Sequence, residues 1–370
     1  MTSKQRILNT VFRKPTDRIP ISMHELCPFE GSAYASFANN EPSYKDLLGF
    51  MRRNTDTIMQ YRADVRYPEL EKLTEVRVEK NGIDTVYNYT LHTPKGDLFA
   101  KILVKDNIHT VWKLEHYLKD ASDIEKYMSL DLSMLVDNTP LFEKREELGE
   151  NGIVCPSIKD PLGRAGELFS MEDMLILAIT EPDTFKCFLD FLWELCECEL
   201  SGVLKGDVRD IMYRITGPEY ATPPYLSDDY FPQLVTCYLK KMAVMINDAG
   251  AISRVHSHGK VRNALAEFAK TDIMCVDPIE PPPDGDIALE EIKKLYGSRF
   301  TILGNIELKM LETASEEQVI RTVKEVCEEG KPGGGFILMP TATPINIPLD
   351  KKTERNLITM IEAGLKYGVF

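Results

Sequence analysis

The feature of this sequence that most limits its fold is an alternation of short apolar segments with amphipathic, helix-like segments. Eight apolar segments, each followed by a turn signal, are predicted as strands: 18–23, 56–61, 153–158, 210–216, 251–258, 272–276, 299–303 and 335–339. Five of the later stretches have helical periodicity: 230–249, 261–270, 289–295, 315–328 and 353–366. Strands that alternate with helices are typical of parallel sheets. Eight such strands predict an α/β fold with a single (β/α)8 TIM barrel.

One section of the chain interrupts this alternation. Residues 74–80 and 84–90 flank an Asn81-Gly82 dipeptide, a strong signal for a tight β-hairpin, and a further strand is predicted at 97–104. We therefore expect an inserted antiparallel β-hairpin sheet around residues 74–105. It forms either a wall or lid of the site or a structural patch on the outer face. The chain has no Pro-, Gly- or Ser-rich linker and no internal repeat, so residues 1–370 are predicted as one domain.

The charge and the cysteine content exclude several classes of function. The formal net charge of −14 argues against nucleic acid or an anionic membrane as the main partner. No apolar stretch approaches the ~20 residues that a membrane span needs, and the chain opens without a signal-like apolar run. The eight cysteines include no Cys-x-x-Cys pair and are interpreted as reduced, mostly buried thiols. We expect a soluble, cytoplasmic protein.

The predicted barrel also indicates where chemistry would take place. In a (β/α)8 barrel the site is built at the carboxyl ends of the strands. Polar residues that follow the first, fourth, fifth, sixth and seventh predicted strands are His24, Glu25, Glu219, Tyr220, His256, His258, Asp277 and Asn305. Acids and histidines that converge on one mouth favour a metal site.

The histidines of Arg254-Val-His-Ser-His-Gly259 are the centre of this hypothesis. His256 and His258 lie two residues apart on a strand, so they face the same way and together suit Zn²⁺. Glu219 is the preferred carboxylate ligand because strands four and five are neighbours, whereas Asp277, His24 and Glu25 are weaker candidates. Two alternatives stay open. One histidine packs in the core while the other is solvated, or an acid orients a histidine without binding the metal.

Several motifs resemble those of the uroporphyrinogen decarboxylase superfamily. They are the opening segment 3–20, His256-Ser-His-Gly259 with Asp277-Pro278, Leu303-Gly-Asn-Ile306, Gly334-Gly-Phe-Ile-Leu338 and the final Glu362-Ala-Gly-Leu-Lys-Tyr-Gly368. The resemblance covers nearly the whole chain. It implies one uroporphyrinogen decarboxylase-like TIM-barrel domain over residues 1–370, and a homodimer is a further expectation.

Two departures from family patterns separate the branches of this superfamily. True decarboxylases carry an arginine-rich Met-Arg-Gln-Ala-Gly-Arg segment after the first strand, where this chain has the acidic Met23-His-Glu-Leu-Cys-Pro-Phe-Glu30. A substrate with many carboxylates would be repelled there. In the coenzyme M branch of the zinc methyltransferases the ligands resemble His-x-Cys near strand five and a later cysteine. His256 matches that histidine, His258 replaces the cysteine, and residues 341–343 offer no thiol.

The resemblance therefore implies a zinc-dependent methyltransferase of the O-demethylase type. It would move a methyl group from a methoxylated, aromatic substrate to the cob(I)amide of a corrinoid partner protein, because zinc with N/O ligands suits an ether oxygen better than a thiol. Three sets of roles follow: His256, His258 and Glu219 bind zinc; Glu25 or Asp277 manages the proton on the leaving oxygen; His24, Tyr220 and Asn305 contact the substrate. The alternatives are a uroporphyrinogen decarboxylase-like, metal-independent carboxy-lyase and a non-catalytic binding barrel.

Overall fold

The computed structural model describes residues 1–31, 36–106, 108 and 110–370. The strands are β1 Thr57–Gln60, β2 Asp64–Arg66, β3 Thr74–Asn81, β4 Asp84–Thr93, β5 Gly96–Lys105, β6 Val111–Glu115, β7 Leu135–Asp137, β8 Gly152–Cys155, β9 Ser157–Lys159, β10 Met212–Thr216, β11 Ile252–Ser257, β12 Cys275–Pro278, β13 Thr301–Ile306 and β14 Phe336–Pro340. The α-helices are α1 Ser3–Val11, α2 Ser36–Asn40, α3 Lys45–Asn54, α4 Pro68–Leu73, α5 Ala121–Met128, α6 Thr139–Leu148, α7 Pro161–Leu168, α8 Met171–Thr180, α9 Pro182–Val203, α10 Cys237–Asp248, α11 Arg262–Phe268, α12 Leu289–Tyr296, α13 Leu308–Thr313, α14 Glu316–Gly330 and α15 Lys351–Tyr367.

The centre of the fold is a parallel sheet covered by helices. Six strands pair in the order β14, β13, β12, β11, β10 and β9, and β8 pairs with β1. The predicted strand 153–158 is present as β8 and β9, which are separated by Pro156. A proline has no N–H to donate, so it interrupts the ladder there. Seven of the eight predicted strands are confirmed as parallel strands, and with them the α/β class.

The first predicted strand, residues 18–23, is held by single bridges rather than by a ladder. Ile21 forms a parallel bridge with Leu338 of β14, and the amide of Ser22 donates to the Leu338 carbonyl at 2.9 Å. On the other side, the amide of Asp56 donates to the Ile21 carbonyl at 2.6 Å. Pro20 removes one donor from this segment. The segment therefore lies between β14 and β1, where a closed barrel requires its first strand.

A buried carboxylate fixes this segment. Asp56 is fully buried, and one of its oxygens accepts from Arg6 at 2.6 Å. The other oxygen accepts from Arg18 at 2.6 Å and from the amide of Ile21 at 2.9 Å. Because Arg6 belongs to α1, one carboxylate joins this helix and the first segment to the start of β1.

Replacing Asp56 by alanine should therefore lower the free energy of unfolding by about 3 kcal/mol, because it leaves buried donors without an acceptor. Urea unfolding measures this change. Asp64→Ala is the matched control, since Asp64 pairs with Arg66 on the surface and such pairs contribute about 0–1 kcal/mol. Equal losses in the two variants would contradict the anchoring role of Asp56.

The insertion is also present, and it is one strand larger than predicted. The strands β3, β4, β5 and β6 form an antiparallel sheet, with Asn81-Gly82 at the first turn, where Gly82 has a φ of 61°. Leu91 and Leu98 pair across β4 and β5 and are buried in the main core, whereas Val76 and Val78 of β3 are exposed. One part of this sheet thus packs on the main core. Its role as a lid or as a patch stays a prediction.

The remaining helical expectations agree with the structure. The predicted helix 230–249 begins with a π-helical turn at Pro232–Thr236, before α10. Five of the eight cysteines are buried and all eight are free thiols, as expected. In the part of the chain that the structure describes, no helix combines the length and the apolar character needed to cross a membrane.

Candidate active site

The strand register places the functional side chains in two layers. Arg214 of β10 pairs with Arg254 of β11, and two residues further along β11 His256 pairs with Asp277 of β12. Because side chains alternate along a strand, Arg254 and His256 point to the same face of the sheet. A layer of two arginines therefore lies below a layer that holds a histidine and an aspartate.

Asp277 is fixed from two sides. It is fully buried, and its two oxygens accept hydrogen bonds from Arg254, at 2.5 and 2.6 Å. Burial alone would raise the pKa of Asp277, but the charge of Arg254 and the hydrogen bonds from Arg254 and His256 outweigh it and hold that pKa well below its usual range. The carboxylate is thus ionised at neutral pH.

An ionised Asp277 determines the state of His256. The imidazole Nδ1 lies 2.8 Å from Asp277, which can only accept, so Nδ1 carries the proton and Nε2 carries the lone pair, which lies 2.8 Å from Nη2 of Arg214. Burial and the nearby Arg214 lower the pKa of His256 to about 3, so the ring is neutral at pH 7. A neutral imidazole oriented by a carboxylate is the usual form of a metal-binding histidine.

His24 is the second imidazole at this level. Its backbone has a φ of 42°, which turns the chain after the first segment. The ring is buried, and neither of its nitrogens has a hydrogen-bond partner in the described chain. Burial, followed by the charge of Arg214, holds the pKa of His24 well below its usual value, so this ring is also neutral. A buried imidazole with two unused nitrogens is available to bind a ligand.

Among the described residues, one group of three has its ligand atoms all within 4.8 Å of one another: His24, His256 and Asp277. The predicted set of His256, His258 and Glu219 does not form such a group. The ring centroids of His256 and His258 are 4.5 Å apart, as expected for one face of a strand. However, Nδ1 of His258 is bonded to Glu280. The predicted ligand set remains a prediction, and His24, a weaker candidate in the sequence, has the better position.

The carboxylate of Glu219 lies on the short 3-10 helix Pro218–Ala221 that follows β10. One of its oxygens accepts from the amide of Gly217 at 3.2 Å, and burial raises its pKa above the usual value. Burial would lower the pKa of His258, but the bond to Glu280 outweighs this and raises it. Glu219 and His258 therefore each have a local hydrogen-bond partner.

The other predicted residues have different environments. Glu25 is partly exposed and accepts from Arg214 at 2.8 Å. Asn305 of β13 is buried, and its side-chain oxygen has no partner in the described chain. The ring of Tyr220 lies against Gly166 of α7, where a Cβ would approach it to 2.5 Å. Asn305 thus has an oxygen available to a ligand, Glu25 is paired with Arg214, and Tyr220 is packed against a helix.

Two arginines of this site were not among the predicted functional residues. Arg214 and Arg254 are each at most 3% exposed, inside apolar strands. The signal was in the sequence, because Ile211-Met-Tyr-Arg214-Ile and Ile252-Ser-Arg254-Val place a charge in the middle of a buried run. A buried arginine requires a partner, so each predicts a facing acid or acceptor.

Comparison with known proteins identifies the family. The model of the family described as uroporphyrinogen decarboxylase (URO-D) matches residues 113–362. The chain therefore belongs to this family, which has a TIM-barrel fold. A search of curated proteins gives no match. Among solved structures, a methyltransferase from Methanosarcina mazei aligns with a TM-score of 0.61 and 16% sequence identity, over 99% of each chain. At this identity the likeness concerns the fold alone.

Proposed function

We propose that this chain is a zinc-dependent methyltransferase of the O-demethylase type. It moves a methyl group from a methoxylated, aromatic substrate to the cob(I)amide of a corrinoid partner protein. The observation that carries the proposal is the pair of buried, neutral imidazoles, His24 and His256, of which the second is oriented by Asp277. The methyltransferase among its structural relatives supports the reaction class.

The donor set fits Zn²⁺. His24 has two unpartnered nitrogens, and Nε2 of His256 carries a lone pair, so these two rings supply nitrogen ligands. The sequence predicts both His258 and Glu219 as ligands beside His256, and with His24 as a ligand one of these two supplies the third donor. Bound zinc would act as a Lewis acid that stabilises negative charge on the leaving ether oxygen. Because the reduced corrinoid is the nucleophile, no side chain needs to attack.

The acids then have separate roles. Both oxygens of Asp277 are already bonded to Arg254, so Asp277 is proposed as an orienting group rather than as a metal ligand. Its bond to Nδ1 keeps His256 in one tautomer and one orientation. Glu25 is partly exposed beside Arg214, so it is placed to give or take the proton of the leaving oxygen. Asn305 offers a free buried oxygen to the substrate, and Tyr220 stays the weakest of the predicted contacts.

The barrel closure, the partners, the cellular location and the oligomeric state are part of the same proposal. The bridges on both sides of Ile21 favour a barrel closed by eight strands within one domain. The partners are a corrinoid protein and a small substrate, the protein acts in the cytoplasm, and a homodimer is expected from the family resemblance.

The metal content of the purified chain tests this proposal. We expect close to one zinc per chain in the wild type by plasma mass spectrometry, and its loss in His24→Ala and in His256→Ala. His258→Ala and Glu219→Gln identify the third ligand. A wild-type chain that stays free of zinc after reconstitution would remove the basis of the proposal.

The alternative is a metal-independent carboxy-lyase, and one observation favours it. The Nε of Arg214 is buried without a partner inside the sheet, where a substrate carboxylate would meet a cation. Such an enzyme would keep its activity in the presence of a strong chelator and release CO2, whereas the methyltransferase would lose its activity.

A further inference from the structure

One contact in this site competes with the metal that the histidines would bind. Nη2 of Arg214 lies 2.8 Å from Nε2 of His256. An arginine remains protonated and only donates, so it uses the Nε2 lone pair. Since Nδ1 of His256 is committed to Asp277, Nε2 is the nitrogen that a metal ion would need. One lone pair accepts one partner, and therefore Arg214 and a metal ion exclude each other on His256.

The charges act in the same direction. Arg214 is buried in contact with His256, and a guanidinium next to a divalent cation is repelled more strongly in a buried site than in water. The only carboxylate bonded to Arg214 in the described chain is Glu25, at 2.8 Å from Nη1. Glu25 is partly exposed at the mouth, and the Nε of Arg214 has no partner. The guanidinium of Arg214 is thus anchored by its bond to Glu25, and its Nε makes no hydrogen bond that would hold it in place.

We propose that Arg214 is a displaceable positioning residue: it holds Nε2 of His256 until a metal ion takes its place, and Glu25 retains the guanidinium after the exchange. This inference rests on the metal site of the proposed function. It makes two separate statements, that Arg214 weakens metal binding and that Glu25 acts on metal binding only through Arg214.

The test is a titration of the metal-free full chain with Co²⁺, followed by its visible absorption and by calorimetry. Arg214→Met removes the competitor and should tighten Co²⁺ binding by at least about tenfold, which corresponds to about 1.4 kcal/mol. Arg214→Gln should change the affinity in the same direction and replaces the first variant if that one does not fold. Arg164→Met is the matched control, because Arg164 is a largely buried arginine of α7 that bonds to Tyr67 and not to His256.

A double-mutant cycle separates competition from a general structural effect. Glu25→Gln should weaken Co²⁺ binding by about tenfold while Arg214 is present, because the displaced guanidinium loses its acceptor. In the Arg214→Met background the same change should have little effect. A merely structural role of either residue would not produce this dependence.

The outcomes distinguish this inference from the proposed function. If the wild type binds Co²⁺ through His256 and Arg214→Met binds it equally or more weakly, the competition is wrong and the metal site stands. If the wild type binds weakly and Arg214→Met binds tightly, both are supported. If neither the wild type nor Arg214→Met binds Co²⁺ at millimolar concentration, the metal site and the competition by Arg214 are both wrong.

Discussion

Asp277→Ala is expected to lower the free energy of unfolding by about 3–5 kcal/mol, because it leaves the charge of Arg254 buried without a counter-ion. Both residues are fully buried, and two hydrogen bonds join them. Replacing both partners by apolar side chains, as Arg254→Met with Asp277→Leu, should restore much of this loss, since the cost comes from the unpaired charge. Urea unfolding of the chelator-treated chain measures both variants.

The surface offers a control for this comparison, and the pH dependence gives a second readout. Asp272→Ala breaks an exposed pair with Arg299 at 3.5 Å and should change the stability by less than about 1 kcal/mol.

The pKa of Asp277 is depressed in the folded state, so the stability that its ionised form contributes is present above the unfolded pKa of about 3.9 and is lost as the pH falls through the lower folded pKa. The gap between wild type and Asp277→Ala should stay constant from pH 7 to about pH 4 and narrow only below that. A gap that closes at pH 6 would contradict the ionised state of Asp277.

The parallel sheet could be predicted because buried strands have a plain signature. Each later strand is a short run of apolar residues bounded by turns, and burial on both faces makes such runs continuous. The two predicted strands that differ from the structure do so for one reason. Pro20 and Pro156 lie inside predicted strands and have no N–H, so 18–23 is held by bridges and 153–158 is divided.

The site was harder to predict, because it depends on contacts between side chains rather than on periodicity. The spacing of His256 and His258 correctly predicted two neighbouring rings. It did not predict that His258 would be bonded to Glu280 while His24 kept both nitrogens free. The position of His24 depends on a left-handed backbone turn, which an L-residue rarely adopts and which no sequence pattern marks here.

The arginines explain why the roles of the acids were left open by the sequence. From the order of strands alone, Asp277 is a weaker candidate metal ligand, a candidate proton carrier or a group that orients a histidine. The register that places Arg254 one layer below Asp277 favours the third role, because both carboxylate oxygens are then occupied. The charge of a buried arginine within a strand is thus the most useful signal to look for in similar chains.

His256→Ala should reduce methyl transfer by at least about 100-fold, because it removes the imidazole that we propose as a metal ligand and that Asp277 orients. The assay follows the conversion of free cob(I)alamin to methylcobalamin with 2-methoxyphenol as the methyl donor, under anaerobic conditions. Free cobalamin replaces the partner protein, so the expected rate of the wild type is low but measurable. The spectral change reports the transfer of the methyl group to cobalt directly.

His92→Ala is the matched control for this loss. His92 is exposed on β4, where it lies 2.8 Å from Asp97, and its replacement should leave the rate within about twofold of the wild type. Addition of Zn²⁺ should restore a wild-type chain that has been treated with a chelator, and it should not restore His256→Ala. If His256→Ala transfers methyl at the wild-type rate, the imidazole does not hold the metal. If the wild type transfers no methyl and instead releases CO2 from a carboxylated substrate in the presence of a chelator, the chain is a carboxy-lyase, and Arg214 is then the residue that meets the substrate carboxylate.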